Sequence, residues 1–139
     1  MRKLVPLGAI VLSAALAACS GRSPAALEVG VTARDFAFEP ATIQVTAGQT
    51  VRLTLTNAGS VEHDLSVMEI PLEQLTAAAT PMEGHEMGAV APELHVAVQA
   101  GQSATIEFTA TRPGTYEFLC AVPGHKDAGM VGTLTVLAP

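Results

Sequence analysis

Cys120, His125 and Met130 stand at C-x4-H-x4-M spacing inside one loop, which runs Cys120-Ala121-Val122-Pro123-Gly124-His125 and on to Met130. A thiolate, an imidazole nitrogen and a thioether together make a soft donor set. Completed by a second imidazole, a Cys/His/His plane with a weak axial methionine suits copper and one-electron transfer. The loop itself holds no second histidine. The sequence offers one upstream, His63, in Asn57-Ala58-Gly59-Ser60-Val61-Glu62-His63-Asp64.

Four donors on two separate segments need a rigid frame, and the rest of the chain reads as strands. Apolar residues alternate at Leu27, Val29 and Val31, then at Ile43 and Val45, at Val51, Leu53 and Leu55, and at Leu65 and Val67. The pattern returns at Leu94, Val96 and Val98, at Ala104, Ile106 and Phe108, at Tyr116 and Phe118, and at Leu134 and Val136. Period-two alternation over short runs means strands with one buried face. Gly48, Gly59, Gly101 and the Pro113-Gly114 pair mark turns between them. About eight short strands at this spacing predict an all-β chain folded as a sandwich. Strand-like runs at 115–119 and 131–137 enter and leave the Cys120 loop, and His63 sits at the mouth of another.

These motifs together resemble the cupredoxin family of type 1 (blue) copper proteins, its plastocyanin-like and auracyanin-like members most. The resemblance covers residues 29–139. It implies a Greek-key β-sandwich, with residues 72–92 as one long variable insert. It implies one copper ion, cycling between Cu(II) and Cu(I), held by His63, Cys120, His125 and Met130. Cys120 would supply the short covalent bond and the colour. His63 and His125 would complete the plane, with the His125 ring edge as the exit for electrons. Met130 would bind weakly and tune the potential. Asp64 stands where many members carry an Asn that ties the two ligand loops. It can accept backbone N–H bonds but cannot donate. Ala121 stands where many carry a hydroxyl residue, and Pro123 removes a backbone N–H near the sulfur. Fewer hydrogen bonds to the thiolate raise a site's potential.

The insert breaks the alternation. Residues 72–79, with Thr76 and three alanines, predict a short helix. Met82, His85 and Met87, with His95 nearby, are a candidate weak second copper site with no fixed scaffold behind it. A loop of this length in a compact domain is functional or mobile.

The N-terminus reads as an export signal. Arg2 and Lys3 precede an apolar stretch at 4–15, shorter than the roughly 20 residues that span a bilayer. Leu16-Ala17-Ala18-Cys19 then looks like a bacterial lipoprotein cleavage site. The expectation is a signal peptide at 1–18, a lipidated Cys19 with a tether at 19–26, and one cupredoxin domain at 27–139. With Cys19 as anchor and Cys120 as ligand, neither cysteine is left for a disulfide. Removing Arg2 and Lys3 from seven basic residues leaves five against thirteen acidic ones, a net charge of −8 before the histidines. That balance argues against nucleic acid and suits a partner with a basic face.

The functional expectation is a monomeric one-electron carrier tethered by lipid at the periplasmic or outer face of a membrane, exchanging electrons with redox proteins. Val122 and the small residues around His125 would form the contact, with Lys126 and Asp127 at its rim. The alternative is copper capture or delivery. An enzyme is not expected, because multicopper catalysis needs more histidines than the four present, and none adjoins Cys120.

Overall fold

The computed structural model describes residues 25–78 and 91–139, which form ten strands and no helix. The strands are β1 (Leu27–Arg34), β2 (Ala37–Glu39), β3 (Thr42–Thr46), β4 (Thr50–Asn57), β5 (His63–Val67), β6 (Leu72–Ala78), β7 (Leu94–Val98), β8 (Ser103–Ala110), β9 (Gly114–Leu119) and β10 (Val131–Leu137). One sheet has the order β2-β1-β4-β8-β6 and the other β3-β10-β9-β5-β7. Pairing is antiparallel except for β1 with β4 and β10 with β3. The all-β sandwich expected from the alternation is the fold found.

The alternation works as the period-two rule requires. In β4, Val51, Leu53 and Leu55 are buried while Arg52 and Thr56 face solvent. Phe108 and Ile106 from β8 meet Leu65, Val96, Phe118 and Leu134 of the other sheet in one core. Each such side chain, fully buried, contributes about 1.5–3 kcal/mol. Phe118 packs edge-on against Phe38 at 5.2 Å between centroids. Gly132 makes this possible, because a Cβ there would collide with the Phe118 ring and with the Ala41 carbonyl.

Two strands escaped the sequence pattern. β2 is three residues long, too short to show a period. β6 corrects the helix expected at 72–79: residues 72–78 pair antiparallel with β8, with a register shift between Leu72 and Gln74. β6 lies at a sheet edge, and Glu73, Gln74, Leu75 and Thr76 are all exposed. With neither face buried, no alternation is selected, and pairing with β8 overrides the helical propensity of the alanines. The first seven residues of the expected insert therefore belong to a sheet. Met82, His85 and Met87 lie outside the described residues, as do Cys19 and the signal segment.

Candidate metal centre

The Cys120–Met130 loop is largely self-supporting. His125 N–H donates to the Val122 carbonyl, Ala128 N–H to Gly124, Gly129 N–H to Lys126 and Met130 N–H to His125, all at 2.9–3.0 Å. Cys120 N–H closes the loop on the Met130 carbonyl at 3.1 Å. Gly124 and Gly129 turn the chain at φ of 85° and 99°, a region that disfavours any residue with a Cβ. The C-x4-H-x4-M spacing is thus one closed turn that returns Met130 to the backbone of Cys120 and His125.

His63 arrives from the other direction. It begins β5 and shares its core-facing side with Leu65 and Val67, while Asp64 and Ser66 take the opposite face. The preceding arm is fixed by the buried Asn57 side chain. Its amide donates to the carbonyls of Val61 (2.7 Å) and Val98 (3.0 Å), and its oxygen accepts from Gly59 N–H (2.8 Å).

The three strongest donors meet. Cys120 Sγ lies 3.4 Å from His125 Nδ1 and 3.9 Å from His63 Nδ1, and all three atoms fall within 4.8 Å of one another. The two imidazole centroids are 4.9 Å apart. First-row ions bond imidazole nitrogen at about 2.0–2.1 Å and thiolate sulfur at about 2.3 Å, so bonded sulfur–nitrogen pairs span up to about 4.4 Å. Both measured separations fit one ion between them. His63, Cys120 and Met130 are fully buried, and His125 is 8 % exposed. Softness of the donor set selects copper, which would supply one-electron redox chemistry here.

The surroundings tune these groups. Burial pushes the Cys120 thiol up to about 11, helped by the Asp64 carboxylate and opposed by backbone amides of Asp64 and Val122. The thiol is therefore protonated at neutral pH until a metal displaces the proton. Burial, and then the neighbouring His63, hold His125 below the usual imidazole range, so it stays a neutral ligand. Asp64 performs the loop-tying role that its lack of a donor put in question. Its Oδ1 accepts from Ala121 N–H at 2.5 Å, and its own N–H points at Cys120 Sγ at 3.5 Å. Ala121 meets Asp64 through the backbone alone, while the exposed Pro123 precedes the Gly124 turn. His95 is not part of a second metal cluster among the described residues. It sits in β7, where its Nδ1 bonds the Ser66 hydroxyl at 2.9 Å.

Four further residues shape the site: Asp35 and Phe36, of which sequence patterns gave no sign, and Gly59 and Ser60 in the segment that leads to His63. Asp35 Oδ1 lies 3.3 Å from His63 Nε2 and accepts Ser60 N–H at 2.9 Å, while Oδ2 accepts the Ser60 hydroxyl at 2.9 Å. These Ser60 bonds, ahead of the smaller effect of His63, hold the Asp35 carboxyl below its usual range. Phe36, with φ of 65°, sets its ring edge-on to His125 at 5.3 Å and is 51 % exposed. Gly59 permits the close approach: a Cβ there would stand 2.6 Å from both Asp35 Oδ1 and His63 Nε2. Asp35 and Phe36 stand too far from the ligands in sequence to carry a local signal of contact.

The family model for copper-binding proteins of the plastocyanin/azurin type matches residues 25–137. The copper-resistant cuproprotein CopI of Pseudomonas aeruginosa is 30 % identical over 97 % of each chain. The protein of the same description from Rubrivivax gelatinosus is 38 % identical over 71 % of this chain, which spans 59 % of that protein's length. Among solved structures, auracyanin B superposes with a TM-score of 0.61 at 25 % identity, covering 83 % of this chain and 91 % of its own. Profile, relatives and fold agree with the Cys/His/His convergence: the chain belongs to the plastocyanin/azurin family of copper-binding proteins.

Proposed function

We propose that this chain is a one-electron carrier built on a single type 1 copper ion. The observation that carries the reading is the buried meeting of Cys120, His63 and His125, held by β5, β9 and β10 of one sheet. Donors fixed this firmly serve Cu(II) and Cu(I) with little rearrangement, which favours fast transfer. His125 is the ligand nearest the surface, so its ring is the port. The exposed apolar surface beside it is Phe36 rather than Val122, which is half-buried against the core. Redox proteins with a basic face suit the net negative charge. The chain works as a monomer, without catalytic turnover, exported and held at the cell envelope through a lipid on Cys19. Reversible voltammetry of the copper protein, together with intact-mass analysis of the mature N-terminus, tests both halves. A sluggish or irreversible couple contradicts the carrier, and an unmodified N-terminus elsewhere contradicts the anchor.

A second reading, copper capture or delivery, is supported by the two relatives described as copper-resistant. Cells lacking this chain would then lose copper tolerance, and a Phe36→Asp protein, which keeps the copper ligands but exchanges electrons slowly, would restore it. The carrier reading expects no such restoration.

A further inference from the structure

We infer that Asp35 is a positioning residue for the copper ligand His63: its carboxylate fixes which ring nitrogen faces the metal and biases the site toward Cu(II). This rests on the reading of His63, Cys120 and His125 as a copper centre, but its first test needs no copper.

His63 has two ring nitrogens with different surroundings. Nδ1 faces Cys120 Sγ at 3.9 Å, and Nε2 faces Asp35 Oδ1 at 3.3 Å. A neutral imidazole carries one proton, and the acceptor beside one nitrogen decides where it resides. A carboxylate can only accept, so the proton sits on Nε2 and leaves the Nδ1 lone pair free for metal. The arrangement is built on both sides. Ser60 grips the carboxylate through its amide and hydroxyl, each at 2.9 Å, and Gly59 leaves room for the contact where a Cβ would intrude at 2.6 Å. Asn57 in turn fixes Gly59. His63 is wholly buried, so water does not compete for Nε2.

The charge has its own consequence. A negative group beside a ligand stabilises Cu(II) more than Cu(I), because the oxidised ion carries one more positive charge. Reduction adds one electron to the copper and moves no proton at His63. Losing the Asp35 charge should therefore weaken Cu(II) binding more than Cu(I) binding and raise the potential.

Nitrogen-resolved NMR of the metal-free wild-type protein should show His63 as the Nε2–H tautomer. A predominantly Nδ1–H His63 overturns the inference whatever the metal site does. In copper-loaded protein, Asp35→Ala should weaken Cu(II) binding about tenfold more than Cu(I) binding, equivalent to a rise of about 59 mV for a one-electron couple. Asp35→Asn keeps an acceptor but not the charge, so it should hold the tautomer and still raise the potential. Ser60→Ala keeps the charge but loosens its grip, so it should shift the potential less than either. If both Asp35 variants merely melt earlier, with tautomer and potential unchanged, Asp35 only closes the turn and the inference fails. A site that binds no copper, with the Nε2–H tautomer intact, would overturn the copper reading instead.

Discussion

The two imidazoles of this site are held in opposite ways. His125 belongs to a loop that closes on itself through backbone hydrogen bonds between residues 120 and 130. His63 belongs to an arm whose support comes from elsewhere: Asn57 and Gly59 before it, Asp35 from the β1–β2 turn and Ser60 between. One half of the site is local in sequence and the other is tertiary. The ring nitrogen away from the cysteine faces a carboxylate in His63, whereas the His125 ring meets the edge of Phe36. The first ligand is thus locked and the second lies at a surface. Locking favours a fixed geometry, and exposure favours electron exchange.

The largest effect expected is at the ligand the two halves share. Cys120→Ser should abolish the intense visible band of the copper protein and cut copper affinity by orders of magnitude, while the fold survives by far-ultraviolet circular dichroism. Cys120 is one small member of a core drawn from both sheets, and the remaining members still pack without it.

Asn57→Ala should damage the tertiary half selectively. Two carbonyls and one N–H lose a buried partner, costing about 2–3 kcal/mol in metal-free stability by denaturant melts. Copper affinity should fall with it, because the His63 arm loosens. Equal copper affinity in a folded Asn57→Ala protein would erase the contrast between the two halves.

The pH dependence sharpens the same contrast by removing the metal. The folded thiol of Cys120 titrates near 11 against an ordinary 9.0. Between those values the folded chain holds a proton that the unfolded chain has released. Metal-free stability from this group is therefore full below pH 9 and is lost as pH rises toward 11, at up to about 1.4 kcal/mol per unit. Copper-bound protein should show no such slope, because the sulfur is already deprotonated. Denaturant melts from pH 8 to 11 with and without copper read both.

The smallest effect tests the exposed half. Phe36→Asp should slow electron exchange with a partner protein about tenfold by stopped-flow spectrophotometry, with little change in the visible spectrum. Val122→Asp, at a half-buried position, should disturb stability and spectrum together. Unchanged rates in the Phe36 variant would move the port away from His125.

The same division explains which parts of the molecule are legible in its sequence. Strand periodicity gave the sandwich because β4, β7 and β10 each bury one face. The Cys120, His125 and Met130 spacing was legible because one loop carries all three. His63 was legible only in combination with that loop. Asp35 and Phe36 were not, since a turn residue does not reveal which distant ring it meets. β6 reads as helix in sequence and is a strand in the fold, because an edge strand with exposed residues on both faces leaves no period and its alanines favour the other element locally.

The visible and EPR spectrum of the copper-loaded protein tests the central claim most directly. One Cu(II) per chain should give an intense band in the red, from Cys120 sulfur-to-copper charge transfer, and a narrow copper hyperfine splitting. A colourless Cu(II) complex with ordinary wide splitting would contradict it, because copper would then be bound without the thiolate on which the whole site is centred.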